Sequence, residues 1–201
     1  GNLYDMVADR GQKTPVKNDE VTKKLADVLA AFRVEHLVDF GKGHDKRPFV
    51  IAHPGNPHTQ LPARDAVASG GIKRSSVHPN DSYFYNWTRK EDKIVWKAES
   101  ADSGTFAVKL FYASRSAGAK CRLSFEGSSL DFTIPVAHDV SRQGKDLDRS
   151  PRIESYTKDW KAIEIGEITL KKGEGSLVLE ALEIPGEEVL ELRLITLMKV
   201  Q

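Results

Sequence analysis

From Phe49 onward, apolar and polar positions alternate with a period of two over most of the chain. Within residues 105–113, Phe106, Val108, Leu110 and Tyr112 fall on one side and Lys109 on the other. Cys121, Leu123 and Phe125 alternate with Arg122, Ser124 and Glu126, and Leu130, Phe132 and Ile134 with Asp131 and Thr133. Ile163, Ile165, Ile168 and Leu170 continue the pattern, followed by Leu177 and Leu179, then Leu190, Leu192 and Leu194 against Glu191 and Arg193. Alternation of this kind sets one face of each strand on a core and the other in water, as antiparallel sheets do. Turn residues punctuate the runs at Asp102-Ser103-Gly104, Glu126-Gly127-Ser128, Lys172-Gly173-Glu174-Gly175 and Pro185-Gly186. Eight or so short strands without intervening helices predict a mostly β protein: an antiparallel β-sandwich of jelly-roll, galactose-binding-like, or Greek-key type.

A different period precedes the strands. Val21, Leu25, Val28, Leu29, Phe32 and Val34 fall mostly at i, i+3, i+4 and i+7, which predicts one amphipathic helix from Asp19 to His36. Asn18 or Asp19 is placed to cap it, and Gly41 closes the segment. Residues 1–17 read as a short extended piece with Leu3, Tyr4, Met6 and Val7, then a polar turn at Asp9-Arg10-Gly11. The helix has little in its own segment to pack on, so its partner is expected outside this chain. Residues 1–46 and 47–201 are therefore expected to be two parts, a remnant segment and a sandwich domain. Two stretches break the strand rhythm: residues 53–78, rich in Pro, Gly and His, and the charge-dense residues 136–156. Long irregular segments inside compact domains are frequently functional, so both are places to look for a site.

Composition narrows the partners. The chain has 201 residues, 39% hydrophobic and 29% charged, enough for a real core. Thirty basic and 29 acidic side chains nearly cancel to a net charge of +1, which gives no reason to expect nucleic acid or an anionic membrane. No run reaches the ~18 apolar residues of a membrane span. The one cysteine, Cys121, excludes an internal disulfide, and its apolar-face position reads as a buried thiol. The chain opens at Gly1 without Met, so an upstream segment carrying any targeting signal is expected.

Chemistry is sparse. His53 and His58 are separated by Pro54-Gly55-Asn56-Pro57 with no cysteine near, and read as ordinary loop histidines rather than zinc ligands. Asp139, Asp146, Asp148 and Glu154 are weak calcium candidates; the D-x-D-x-D-G order is missing, and Lys145, Arg149 and Arg152 stand ready to neutralise the acids. No metal site is assigned. No serine sits in a G-x-S-x-G elbow, and nothing singles out a carboxylate pair for glycoside cleavage. Among the aromatics, Tyr83, Tyr85 and Trp87 are expected on one face of a strand with Phe84 on the other, and Trp96 aligns with Ile94 and Ala98 as core. Core filling is favoured for the group, with Trp87 and Trp160 the two candidates for exposed platforms that stack on sugar rings.

The order of several segments resembles the C-terminal end of bacterial arylsulfatases that carry an extra β-sandwich. Leu3-Tyr4-Asp5-Met6-Val7-Ala8-Asp9-Arg10-Gly11-Gln12-Lys13-Thr14 is similar to the sulfatase L-Y-D-L…D-P-G-E-x-T/N segment that precedes the last helix. Leu61-Pro62-Ala63-Arg64-Asp65, Gly71-Ile72-Lys73-Arg74-Ser75 and residues 79–87 look like the appended module, as do Ala137-His138-Asp139, Asp148-Arg149, residues 154–160 and residues 181–186. The resemblance covers nearly the whole chain. It implies a calcium-dependent catalytic domain upstream, with a formylglycine made from a C/S-x-P-x-R signature. Cys121-Arg122-Leu123-Ser124-Phe125 fails that signature, so no catalytic residue and no cofactor is carried over.

The resulting expectation is a non-catalytic accessory domain of an arylsulfatase, partnered by the sulfatase domain of the same chain, in the periplasm or secreted. Arg64, Lys73 and Arg74 are its candidates for sulfate groups of a glycan, and Trp87 and Trp160 for sugar rings. Two alternatives stay open: a carbohydrate-binding module, or a purely structural or oligomerising sandwich.

Overall fold

The computed structural model describes residues 1–37 and 47–200, so Gly41 lies outside the described residues. The chain divides into two compact units, Gly1–Lys46 and Arg47–Gln201. In the first, an isolated bridge joins Leu3 to Val16, and helix α1 spans Asp19–His36. Asn18 caps it, its side-chain oxygen accepting the Val21 amide at 3.1 Å. Asp19 and Glu20 in the first turn and Arg33 and His36 in the last suit the helix dipole. Its apolar stripe stays half exposed, with Leu25 at 52% and Phe32 at 50%.

The second unit holds twelve strands among the described residues: β1 (Phe49–Ile51), β2 (His58–Pro62), β3 (Val67–Ala68), β4 (Lys73–Arg74), β5 (Phe84–Tyr85), β6 (Lys93–Ser100), β7 (Gly104–Ala113), β8 (Lys120–Phe125), β9 (Ser128–Thr133), β10 (Lys161–Leu170), β11 (Gly173–Glu183) and β12 (Glu191–Lys199). One sheet runs β1-β6-β11-β8-β9, with β3 also on β6. The other runs β10-β7-β12-β5-β4, with β2 also on β12. All pairings are antiparallel except β1 with β6. The fold is the mostly β, jelly-roll sandwich that the alternation predicts.

The inward sets of the two sheets make one core. Trp96, Leu123 and Phe125 come from the first sheet and Phe106, Leu110 and Ile195 from the second, all buried. Trp96 also satisfies its indole, donating to the Pro62 carbonyl at 3.0 Å, which ties the end of β2 to the opposite sheet. Cys121 belongs to this core, and burial pushes its thiol up to about 12.

Three local features depart from simple alternation. Residues 53–78 are not a continuous loop: they supply β2, β3 and β4. By contrast, residues 136–156 are irregular apart from an isolated bridge between His138 and Ser114 and a 3-10 turn at Lys145–Leu147, and are anchored where the Tyr112 hydroxyl donates to the Val136 carbonyl at 2.8 Å. In β12 the register shifts between Leu192 and Leu194, so Leu192, Ile195 and Leu197 face the core and Leu194 does not.

The turn that delivers β4 depends on Gly70, whose φ of +65° is left-handed. A Cβ there would lie 1.7 Å from Asp92 Oδ1. Asp92 is buried, accepts the Gly71 amide at 2.8 Å and pairs with Arg89 at 3.2 Å, so it has no room to retreat. Gly70→Ala should therefore cost about 1–3 kcal/mol from backbone strain, plus the contact, read as a lowered urea midpoint. Cys121 should resist iodoacetamide at pH 8 in the folded chain and react fully once unfolded. Because the folded thiol keeps its proton longest, stability should also fall as pH climbs from the ordinary thiol range toward about 12.

Candidate functional site

The outward side chains of the second sheet form a grid whose rows follow from ladder register. Pro62 of β2, Leu194 of β12, Phe111 of β7 and Ala162 of β10 stand abreast. The next row is Gln60, Thr196, Lys109 and Glu164, and the third is His58, Met198, Ala107 and Glu167. A groove of about 360 Å³ opens over this grid. Thr196, buried between Gln60 and Lys109, is its floor, while Phe111 and Leu194 are half-buried and Met198 is exposed. The result is an apolar row beside a row of hydrogen-bonding groups. Lys109 and Glu164 approach to 3.5 Å but are well exposed, so their pairing contributes little and yields readily to a ligand.

One end of the grid is braced by the irregular segment 136–160. Trp160 lies two residues before Ala162, and its ring meets the Tyr83 ring edge-on at a centroid distance of 5.0 Å. Tyr83 is buried; its hydroxyl accepts from Arg142 Nε at 3.2 Å, and Lys158 Nζ lies 5.4 Å over its ring. The same Lys158 pairs with Glu191 at the start of β12, their side chains only 10% and 14% exposed. Nearby, Glu188 is held above its ordinary carboxyl value by burial, with Arg115 at 3.5 Å opposing that rise. The Trp160 indole nitrogen is buried and has no hydrogen-bond partner among the described residues.

The residues singled out from sequence distribute unevenly. Trp87 is 1% exposed and belongs to the core, so it offers no platform; its indole donates to the Arg89 carbonyl at 3.1 Å. The cause is Asn86, whose φ of 61° breaks the strand after Tyr85 and turns Trp87 to the side of Phe84 instead of the side of Tyr83. Trp160 remains half-buried against Tyr83. Lys73 and Arg74 are exposed on β4, and Arg64 is half-buried beside Asp65 at 3.7 Å. Asp148 is engaged by Arg152 at 2.7 and 3.1 Å, and that guanidinium lowers its carboxyl below the ordinary range. Asp139 and Asp146 are exposed, Glu154 is half-buried, and no three His, Cys, Asp or Glu side chains converge among the described residues. Sequence reasoning passed over Phe111, whose signal was an apolar residue out of phase between Leu110 and Tyr112.

No family model matches the sequence, and no curated protein matches it either. Solved structures do match. The C-terminal family 6 carbohydrate-binding module of a laminarinase from Zobellia galactanivorans is similar at 10% identity and a TM-score of 0.50, over 71% of this chain and 99% of that one. The sandwich fold is one that carbohydrate-binding modules share. A family 26 mannanase with a family 35 module from Podospora anserina matches at 14% identity and a TM-score of 0.50, over 72% of this chain and 28% of the mannanase. The Cry4Aa toxin of Bacillus thuringiensis matches at 17% identity and a TM-score of 0.52, over 72% of this chain and 24% of the toxin. At such identities the carbohydrate-binding-module likeness speaks for the fold alone, and function must be argued from the face described above.

The brace at the end of that face is open to direct measurement. Glu191→Ala leaves the Lys158 ammonium nearly buried without its carboxylate, which should cost about 3–5 kcal/mol. Limited proteolysis should then cut within residues 136–160 faster than in the parent chain; unchanged cleavage would show that the pair does not hold the segment.

Proposed function

We propose that the sandwich is a non-catalytic carbohydrate-binding accessory module and that a glycan lies across the outer face of its second sheet. The observation that carries this reading is the grid. Pyranose rings present an apolar face and a rim of hydroxyls, and the groove sets Phe111 and Leu194 beside Gln60, Thr196, Lys109 and Glu164 at the fixed spacings of a sheet. The strands are rigid because their opposite faces are locked in the core, so little ordering entropy is lost on binding. The resemblance of the ordered segments to sulfatase C-termini supports a further element: the module follows a sulfatase catalytic domain and serves that enzyme's access to glycan. The coding sequence upstream of Leu3 tests it, since a C/S-x-P-x-R signature is expected there.

The face itself is tested by glycan-array retention and titration calorimetry on the full chain. Phe111→Ala removes the ring at the centre of the apolar row and should weaken binding about tenfold or more while the melting temperature stays near that of the parent. Trp87→Ala, in contrast, should unfold the domain rather than act on binding selectively. Equal retention by the parent chain and Phe111→Ala would sink the proposed face.

A further inference from the structure

We infer that the glycan taken by this face is uncharged where it lies in the groove, and that Glu164 is the residue that turns sulfated stretches away. The inference rests on the glycan-binding reading and names its ligand class. Its basis is the charge that the groove itself presents. Among the described residues lining it, Lys109 and Glu164 are the only lysine, arginine or carboxylate side chains. They stand abreast on β7 and β10 and approach to 3.5 Å, so each already faces its opposite. Glu167 follows in the next outward row of β10, exposed, and that row holds His58, Met198 and Ala107 but no lysine or arginine. The three rows of the grid thus carry two carboxylates against one ammonium.

That balance suits hydroxyls and opposes oxyanions. A sulfate ester that draws on Lys109 takes the ammonium from Glu164 and sets two like charges side by side. Hydroxyls make no such demand. A vicinal pair donates to the Glu164 carboxylate through one oxygen and accepts from the Lys109 ammonium through the other, and both charges stay paired. Gln60 and Thr196 extend the row with groups that donate and accept without bringing charge. Sulfation of the hydroxyl that faces Glu164 removes the proton the carboxylate accepts and puts an anion in its place, so the loss is double. Arg64, Lys73 and Arg74, the cations that the sequence offers for sulfate, do not offset this, because none of them lines the groove.

The consequence is a preference for one side of a reaction. Attached to a sulfatase, such a face holds the polymer by bare stretches, the product of desulfation, and leaves the sulfated stretches free for the catalytic domain.

The experiment titrates the full chain with matched neutral, O-methylated and O-sulfated forms of two probes, cellohexaose and desulfated carrageenan hexasaccharide. The neutral form should bind about tenfold or more tighter than the sulfated one, with the gap narrowing as salt screens the repulsion. The O-methyl form lacks the donated proton but carries no charge, and should fall between the two. Glu167→Gln, one row away from the hydroxyl contacts, should narrow the gap, Glu164→Gln should narrow it further, and Lys109→Met should widen it. All three side chains are exposed, so the variants should melt with the parent. Equal affinity for neutral and sulfated forms, a preference for the sulfated one, or a gap unmoved in the Glu variants would overturn the inference and leave the glycan face standing. Retention of neither probe set, nor of any glycan on the array, would remove both.

Discussion

Everything in the second unit depends on keeping two sheets pressed face to face. Their inward side chains are nearly all aliphatic or aromatic, and withdrawing that surface from water is the main force holding the strands in register. A slip of one residue in any central strand would swap its core set for its solvent set, so the core fixes register far more strongly than the turns do. The same constraint fixes the outward residues. Neighbouring strands stand ~4.8 Å apart and alternate residues along a strand ~6.7 Å, so the groove is a lattice of side chains whose positions were decided on its other face.

Much of this was legible in the chain, because burial on one face writes itself as a period of two. Phe106 to Tyr112 and Cys121 to Phe125 lie as their alternation says. The misreadings have a common physical origin, a single residue that resets the phase. Asn86 in a left-handed conformation carries Trp87 from the side of Tyr83 into the core. The register shift at Leu192 to Leu194 does the reverse, carrying Leu194 out of the core into the groove. A left-handed non-glycine and a bulge leave no apolar or polar signature, so a pattern of residue types cannot locate them. The strands β2 to β4 were hidden for another reason: each is short and set among the Pro, Gly and charged residues of 53–78, the composition that marks turns.

The site was less legible than the fold. Its polar row is built from one residue each of four strands far apart in sequence, and only register brings Gln60, Thr196, Lys109 and Glu164 abreast. Conversely, the charge-dense segment 136–156 spends its ions on itself and on the sheet end, through Asp148 with Arg152 and, just beyond, Lys158 with Glu191.

The grid also separates two kinds of evolutionary freedom. Its outward positions share strands with the core but not contacts with it, so they can be exchanged one at a time without disturbing the packing beneath. Such a surface can change its outer side chains quickly on an unchanging frame, so two descendants of one ancestor could come to differ across this face while their interiors stayed superimposable. The register shift in β12 is the exception to that freedom: loss of its extra residue would exchange the outward and inward side chains of the strand beyond it.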